Sequence, residues 1–256
     1  MVEEWCLLDT GIRDAFYNMA LDEAIVTAKS KNLVPNTIRF FRWGPSAVSI
    51  GYFQSMEEEV DTSACNLRGI GYVRRTTGGG AVYHDRDGEL TYSIAINEGH
   101  MLVSKDIQKT YQTLCSGLTL GLSLLGIPAE FKPINDIMVG GKKISGNAQT
   151  RKMGVVLQHG TILREVDPSL MFTLLKVPSE KIRDKLIATV KERVTSINSY
   201  LEKDVSFNEI KNALKEGFEK ALNIKLADGR PTKFETMLAE KLKMEKYASR
   251  NWNFMR

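Results

Sequence analysis

With 256 residues, the chain is long enough for one large domain with its own hydrophobic core. Its 35 lysines and arginines exceed its 31 aspartates and glutamates, giving a net charge of +4 without a dominant basic tract, which argues against a nucleic-acid-binding protein. Three scattered cysteines indicate neither a disulfide framework nor a zinc site, and no stretch resembles an export signal or a membrane span, which together predict a cytoplasmic protein.

The N-terminal part of the chain predicts one helix among several strands. Residues 4–8 have the pattern of a short strand, and apolar residues at helical spacing over 13–28 predict a helix. Runs of β-branched and aromatic residues over 37–43 and 47–53, separated by Gly44 and Pro45, predict two strands paired as a hairpin.

The central part of the chain predicts more strands and a long helix. Residues 72–75 and 89–96 read as strands, and the alternation in the second predicts that one face of the sheet is buried. Apolar residues recurring every three, four or seven positions predict a helix over 104–125. Gly140-Gly141, between two short strand patterns, predicts a hairpin, and 154–164 predicts another strand.

Residues after Asp167 are predicted to be helical, with a capping-box pattern at Ser206 and Glu209 and a last helix near 232–248. Because strands and helices mix without regular β-α-β alternation, the sequence predicts an α+β fold with a mixed, largely antiparallel sheet flanked by helices. We expect a single domain over 1–256, in which 232–256 form a helical tail.

The most informative segment is Arg74-Arg75-Thr76-Thr77-Gly78-Gly79-Gly80-Ala81-Val82-Tyr83-His84-Asp85. Three glycines remove every Cβ from a loop, so backbone N–H groups can approach an anion closely. The preceding arginines offer planar forks of donors for phosphate. The structural alternative is a strand end with a solvated arginine pair. Neither the P-loop nor the dinucleotide fingerprint is present, which argues against a conventional NTPase or dehydrogenase.

A second segment, 135–149, surrounds the glycine hairpin and contains Lys142 and Lys143. Because side chains alternate along a strand, only one of these lysines can reach a given site. A lysine ammonium can follow a carboxylate as it attacks an α-phosphate, and Asp136 can hold Mg²⁺ or orient that lysine. The alternative is a surface hairpin with solvated charges.

Together these segments resemble the signature blocks of the biotin and lipoate protein ligase superfamily, specifically its lipoate-protein ligase branch. The similarity extends over about residues 7–195, in the ordered blocks 50–54, 74–85, 135–148, 158–160, 175–178 and 193–195. The resemblance implies a catalytic domain with the class II synthetase or biotin ligase-like fold. It also implies an enzyme that uses ATP and Mg²⁺ to convert lipoate to lipoyl-AMP and transfers the lipoyl group to a lysine of a carrier domain.

The resemblance assigns roles to individual residues. It makes Lys143 the catalytic lysine that contacts both the acyl carboxylate and the α-phosphate, and it places Arg75 with the backbone of Gly80, Ala81, Val82 and Tyr83 against the nucleotide. Gly78 and Gly79 match the loop walls around the adenylate, and Asp136 remains the candidate metal ligand. The expected acceptors are lipoyl domains of 2-oxoacid dehydrogenase E2 subunits and the glycine cleavage H protein.

Two other functions stay open. Octanoyltransferases share the fold and use a cysteine nucleophile, but 131–136, where that cysteine is expected, contains none. The third interpretation is a non-catalytic subunit, because 247–254 resembles the junction to a C-terminal accessory domain, which here is expected as a separate polypeptide. His84 and His159 are expected to have structural, hydrogen-bonded roles, and His100 is expected to lie in a loop.

Overall fold

Two β-sheets form the framework of the protein in a computed structural model, which describes residues 2–176 and 179–256. The strands are β1 (Glu3–Arg13), β2 (Thr37–Trp43), β3 (Ala47–Ile50), β4 (Gly71–Arg74), β5 (Val82–His84), β6 (Glu89–Asn97), β7 (Glu130–Lys132), β8 (Asp136–Val139), β9 (Lys142–Lys152), β10 (Val155–Leu163) and β11 (Ile224–Gly229). Val177 and Pro178, which belong to the predicted 175–178 block, lie outside the described residues, as does Met1.

Helices cover the sheets and connect the strands. They are α1 (Ala15–Ser30), α2 (Met56–Glu59), α3 (Thr62–Leu67), α4 (Ile107–Leu124), α5 (Pro168–Leu174), α6 (Glu180–Arg193), α7 (Ile197–Leu201), α8 (Phe207–Leu222), α9 (Lys233–Leu242) and α10 (Arg250–Asn253), with a π-helical turn at Lys243–Tyr247. The capping box predicted at Ser206 and Glu209 is present at the start of α8. No helix in the described ranges is both long and apolar enough to span a bilayer.

The larger sheet has eight strands in the order β11-β1-β2-β6-β10-β9-β8-β7, and the smaller has three in the order β4-β3-β5. Strand β1 is parallel to β11 and β2, whereas the remaining neighbours in the larger sheet are antiparallel. Helices α4 and α8 contribute to the core on one face, and α1 and α9 contribute to the core on the other. The predicted α+β fold with a mixed, largely antiparallel sheet is confirmed.

The predicted hairpin of 37–43 and 47–53 is wrong. Strand β2 lies in the larger sheet between β1 and β6, whereas β3 is the central strand of the smaller sheet. Both strands have other partners on both sides, so the turn at Gly44 and Pro45 directs the chain from one sheet to the other. Strand β11, in the stretch expected to be helical, pairs with β1 at the sheet edge.

Both faces of β6 are buried, not only the predicted one. Leu90 and Tyr92 point into the core beneath α4 and α8. On the opposite face, Glu89, Thr91 and Ser93 are each at most 3% exposed. Buried polar side chains require hydrogen-bond partners, and those partners are His84 of β5 for Glu89, Trp43 of β2 for Thr91 and Asp22 of α1 for Ser93.

Candidate active site

The seam between the two sheets contains a cleft of about 350 Å³. Of the residues predicted for the site, Arg75, Gly79, Gly80, Ala81, Val82, Tyr83 and Lys143 line it. Gly78 and Asp136 do not line the cleft. Each is instead bonded to a residue that does, Gly78 to Arg75 and Asp136 to Lys143. The two segments singled out in the sequence therefore face one cavity from opposite walls.

Arg75 organises the glycine loop, residues 78–80. Its five N–H groups match five acceptors of the chain. Nη2 donates to the carbonyls of Gly78 and Gly80 at 2.8 and 2.7 Å, Nη1 donates to the carbonyl and hydroxyl of Ser49 at 3.1 and 3.0 Å, and Nε donates to the Thr77 hydroxyl at 3.2 Å. The residue is only 5% exposed and forms no ion pair within the described chain, and burial lowers its pKa to about 10.

The bonds to Arg75 leave the loop amides free. Within the described chain, the backbone N–H groups of Gly78, Gly79, Gly80 and Ala81 donate no hydrogen bond. Consecutive free amides on a loop without side chains form a concave site of positive potential, which suits an anion. The guanidinium of Arg75 lies behind this cradle and adds a full positive charge.

One hydrogen-bonded chain links Arg75 to Glu89 through Ser49 and His84. Ser49 Oγ lies 2.8 Å from His84 Nε2, and His84 Nδ1 lies 2.8 Å from Glu89 Oε1. Glu89 Oε1 also accepts from the Thr91 hydroxyl at 2.6 Å. When Glu89 is ionised, Arg75 donates to Ser49, Ser49 donates to His84, and His84 donates to Glu89. The negative charge of the carboxylate thus offsets the positive charge of the buried guanidinium through this series of hydrogen bonds. His84 is further held by stacking on Trp43, with ring centroids 3.9 Å apart.

A second chain leaves Arg75 on its other side, through Thr77 and His159 to Asp22. Thr77 Oγ1 lies 2.7 Å from His159 Nε2, and His159 Nδ1 lies 3.4 Å from Asp22 Oδ2. Asp22 also forms a buried ion pair with Arg39 at 2.8 Å. Burial lowers the pKa of His159, with Asp22 opposing the shift and Arg75 adding to it. His84 and His159 thus have the structural roles expected of them. Each is hydrogen-bonded to a hydroxyl group that accepts a hydrogen bond from Arg75.

Lys143 occupies the opposite wall. Its ammonium pairs with Asp136 at 2.6 Å, and its side chain remains 39% exposed. Strand β9 gains a further anchor because the N–H of Thr195 donates to the Lys143 carbonyl at 2.9 Å. Lys142 is exposed and does not line the cleft. The alternation of strand side chains therefore separates the two lysines as expected.

Asp136 is a single carboxylate rather than part of a metal cluster. In the ranges that the structure describes, no three His, Cys, Asp or Glu side chains converge on one point. Mg²⁺ usually keeps several waters and is held by one or two carboxylates together with substrate phosphates. Asp136 is one such carboxylate, but it does not line the cleft, and its Oδ1 is paired with the Lys143 ammonium.

The rest of the lining has an apolar part and an acidic part. The apolar side chains are those of Met19, Trp43, Ala148, Leu163, Val166, Met171, Val190 and Val194, and the acidic ones are those of Asp85, Glu89, Glu165 and Asp167. The apolar part suits a narrow alkyl group. Tyr83 lines the cleft and donates to Asp85 at 3.0 Å, and burial raises its pKa to about 12. Ile50 and Ile94, apolar residues near the site blocks, belong to the core.

None of the three cysteines lines the cleft. Burial raises the pKa of Cys65 to about 11 and that of Cys115 to about 12. Cys6 is half-buried on β1, and burial together with Glu235 and Asp228 raises its pKa. A nucleophilic cysteine needs an accessible thiolate, and none of these positions provides one.

The sequence reading missed the residues that support Arg75, namely Ser49, Thr77, Glu89 and Asp22. One signal was available, since Glu89, Thr91 and Ser93 alternate with the apolar residues of β6. Such alternation ordinarily indicates a solvent-exposed face. Only the packing of helix α1 and strand β5 against that face shows that these polar residues are buried.

Comparison with known proteins identifies one family but two kinds of enzyme. Residues 14–219 match the lipoyl protein ligase A/B catalytic domain family. Octanoyltransferase LipM of Kyrpidia tusciae is 40% identical and that of Bacillus subtilis 36%, and in each case the match covers 99% of both chains.

Two solved structures resemble this chain in both sequence and fold. A chain of the archaeal lipoylation system of Thermoplasma acidophilum, described as a bi-partite lipoate protein ligase and its E2 lipoyl domain, is 35% identical, with a TM-score of 0.88 over 98% of this chain and 96% of the other. Lipoate-protein ligase A bound with ATP is 34% identical, with a TM-score of 0.83 over 99% of both chains.

Proposed function

The chain belongs to the lipoyl protein ligase A/B catalytic domain family, and we propose that it is the ATP-dependent member type, which activates lipoate as lipoyl-AMP and transfers the lipoyl group to a lysine of a carrier domain. One observation carries the proposal. Three residues whose backbone amides are free, Gly79, Gly80 and Ala81, line the same cleft as the buried Arg75 and Lys143. This arrangement fits a phosphoryl group placed between two cations.

Different cleft residues are proposed to bind the nucleotide, bind the acyl chain and stabilise the transition state of adenylation. The free amides of Gly79, Gly80 and Ala81 bind the phosphates of ATP, the buried Arg75 adds positive charge next to them, and the apolar part of the lining binds the alkyl part of lipoate. Lys143, on a long and half-exposed side chain, stabilises the charge that develops as the carboxylate attacks the α-phosphorus and pyrophosphate leaves. Asp136 is the proposed carboxylate for Mg²⁺, which it would share with the nucleotide phosphates.

Transfer requires an acceptor amine and exclusion of water. The lysine of the carrier attacks the acyl carbonyl of the adenylate, and AMP leaves. Lipoyl domains of E2 subunits and the glycine cleavage H protein are the proposed acceptors. The Thermoplasma relative is described as bi-partite with an E2 lipoyl domain, which supports the proposal that a separate accessory polypeptide takes part here too.

The names of the curated relatives favour a second candidate, octanoyl transfer from a carrier-protein thioester. Relatives 36–40% identical over 99% of this chain are called octanoyltransferases. The cysteine positions count against a thiol mechanism at this cleft, since no cysteine lines it. The comparisons by name and the chemistry of the cleft therefore point to different reactions, and an assay has to separate them.

The decisive assay mixes the protein with ATP, Mg²⁺, lipoate and an apo lipoyl domain, with and without the accessory polypeptide. A parallel reaction supplies octanoyl carrier protein and no nucleotide. Pyrophosphate release that depends on lipoate, followed by mass addition to the lipoyl domain, is the expected result. Octanoyl transfer without ATP, lost in one member of a cysteine-to-serine series, would replace our proposal with the second candidate. No activity in either reaction, with the accessory polypeptide present, would leave a non-catalytic subunit.

A further inference from the structure

Two consecutive arginines carry out different tasks on opposite sides of the same strand end. Arg75 points to the cleft, whereas Arg74 is 0% exposed and points away from it. Arg74 has no carboxylate partner in the described chain. Its guanidinium is surrounded by backbone carbonyls, those of Gly51, Tyr52 and Gln54 at 3.3, 2.9 and 2.5 Å and those of Trp252 and Asn253 at 3.0 and 2.9 Å.

These five carbonyls come from two segments that are far apart in the sequence. Three belong to the loop 51–54 and two to α10 near the C-terminus. A buried charge requires full solvation by polar groups, and here neither segment alone supplies enough acceptors. Arg74 therefore holds the two segments together.

Side chains of α10 complete the contact from the other direction. Asn253 Oδ1 accepts from the Arg74 backbone N–H at 2.7 Å, and Trp252 Nε1 donates to the Arg74 carbonyl at 2.9 Å. Strand β4 is an edge strand, so its outer N–H and C=O groups lack a neighbouring strand. The two side chains supply the missing partners at the residue immediately before Arg75.

The loop 51–54 in turn supports the glycine loop. The Tyr52 N–H donates to the Thr77 carbonyl at 2.9 Å. Gly51 packs so closely on the glycine loop that a Cβ there would lie 2.0 Å from the Gly79 carbonyl oxygen. A shift of the loop 51–54 therefore displaces the backbone that carries the free amides.

We propose that α10 is a positioning element of the nucleotide site, in which Trp252 and Asn253 act through Arg74 and the loop 51–54 to hold the glycine loop in its anion-binding form. The ATP part of this inference rests on the proposed function. The structural coupling between α10 and the loop 51–54 does not depend on the proposed function.

The test compares Asn253→Ala with Arg250→Ala in the full chain. Asn253 is buried and bonded to Arg74, whereas the Arg250 side chain on the same helix is 75% exposed, forms a 3.7 Å ion pair with Glu57 and lies over the Phe254 ring, without contacting Arg74. Two quantities are measured by titration calorimetry, the affinity for a non-hydrolysable ATP analogue and the affinity for lipoate. Hydrogen exchange at the Tyr52 amide reports on the loop without any ligand.

We expect Asn253→Ala to weaken binding of the ATP analogue by about tenfold, as for the loss of a buried hydrogen-bond partner. Lipoate affinity should stay unchanged and exchange at Tyr52 should accelerate. Arg250→Ala should behave as the wild type in all three measurements. Trp252→Phe, which keeps an aromatic ring but loses the donor to Arg74, gives a smaller change in the same direction and serves if Asn253→Ala does not fold.

Two outcomes would overturn the inference. The first is unchanged exchange at Tyr52 in Asn253→Ala and Trp252→Phe, and the second is faster exchange with unaltered affinity for the ATP analogue. If the wild-type protein binds no ATP analogue, the proposed function fails, and exchange at Tyr52 still decides whether α10 holds the loop.

Discussion

The cleft has a glycine wall, formed by the loop 78–80 with Arg75, and a hairpin wall, formed by strands β8 and β9 with Lys143. The two walls hold their positive charges in different ways. Arg75, on the glycine wall, is 5% exposed and has all its donors occupied by the chain. Lys143, on the hairpin wall, is 39% exposed in its side chain and has one carboxylate neighbour. The first is fixed before any ligand arrives, whereas the second can move. A rigid cradle suits a group that stays in place during a reaction, and a mobile cation suits a group whose charge shifts.

The largest effect should come from removing the mobile cation. We expect Lys143→Ala to reduce adenylate formation by about 10²–10³-fold, the cost typical of losing one group that stabilises transition-state charge. The measurement is pyrophosphate release with lipoate and ATP. Lys142→Ala is the matched control, because its side chain is on the other face of the same strand and should leave the rate unchanged. Equal losses in the two variants would refute the division of roles between them.

The next effect should come from straining the rigid wall. Gly79 has a φ of +96°, and a Cβ there would lie 2.9 Å from Arg75 Nη2, whereas a Cβ at Gly80 would meet nothing within 4 Å. We expect Gly79→Ala to lower the free energy of unfolding by about 1–3 kcal/mol and Gly80→Ala to change it by less than about 0.5 kcal/mol. Denaturant unfolding of the ligand-free protein measures both. If the two variants were equally stable, the loop would not be held as described.

A smaller effect should appear as pH dependence of the same wall. Burial lowers the pKa of His159 below its ordinary value of 6.5. The folded protein therefore binds this proton more weakly than the unfolded chain does, and stability falls as pH drops below 6.5 through the lowered pKa. One such group changes the free energy of unfolding by at most about 1.4 kcal/mol per pH unit. We expect His159→Gln to flatten the dependence of the unfolding free energy on pH below 6.5, and an unchanged slope would contradict this.

The smallest effect should come from the cysteines, which belong to neither wall. We expect Cys6→Ser, Cys65→Ser and Cys115→Ser to keep the ATP-dependent activity of each folded variant within about twofold, because no thiol takes part in adenylation. The measurement is again pyrophosphate release, with thermal melting to identify variants that lose stability. Complete loss of activity in a folded cysteine variant would indicate thiol chemistry instead.

The hairpin wall was predictable from the sequence, and the glycine wall only in part. Period-two alternation and Gly140-Gly141 are local signals, and they were enough to predict β8, β9 and the opposite orientations of Lys142 and Lys143. The support of Arg75 depends on long-range pairing, since Ser49 and Glu89 meet through His84 only because β3 leaves the larger sheet. No local pattern in the sequence shows whether β3 pairs with β2 in a hairpin, as predicted, or belongs to a second sheet. The role of Arg74 is similarly hidden, because its carbonyl partners are supplied by backbone and leave no trace in residue type.

The bonds of His84 with Glu89 and of Thr77 with His159 cross from the smaller sheet region to the larger sheet. Apolar contacts cross the same boundary, because Ala47 and Val73 of the smaller sheet belong to one buried cluster with Phe41 and Trp43 of the larger sheet. Directional bonds specify geometry, whereas burial of apolar surface supplies cohesion. The polar contacts therefore fix how the two sheets are aligned, and the apolar contacts hold them together.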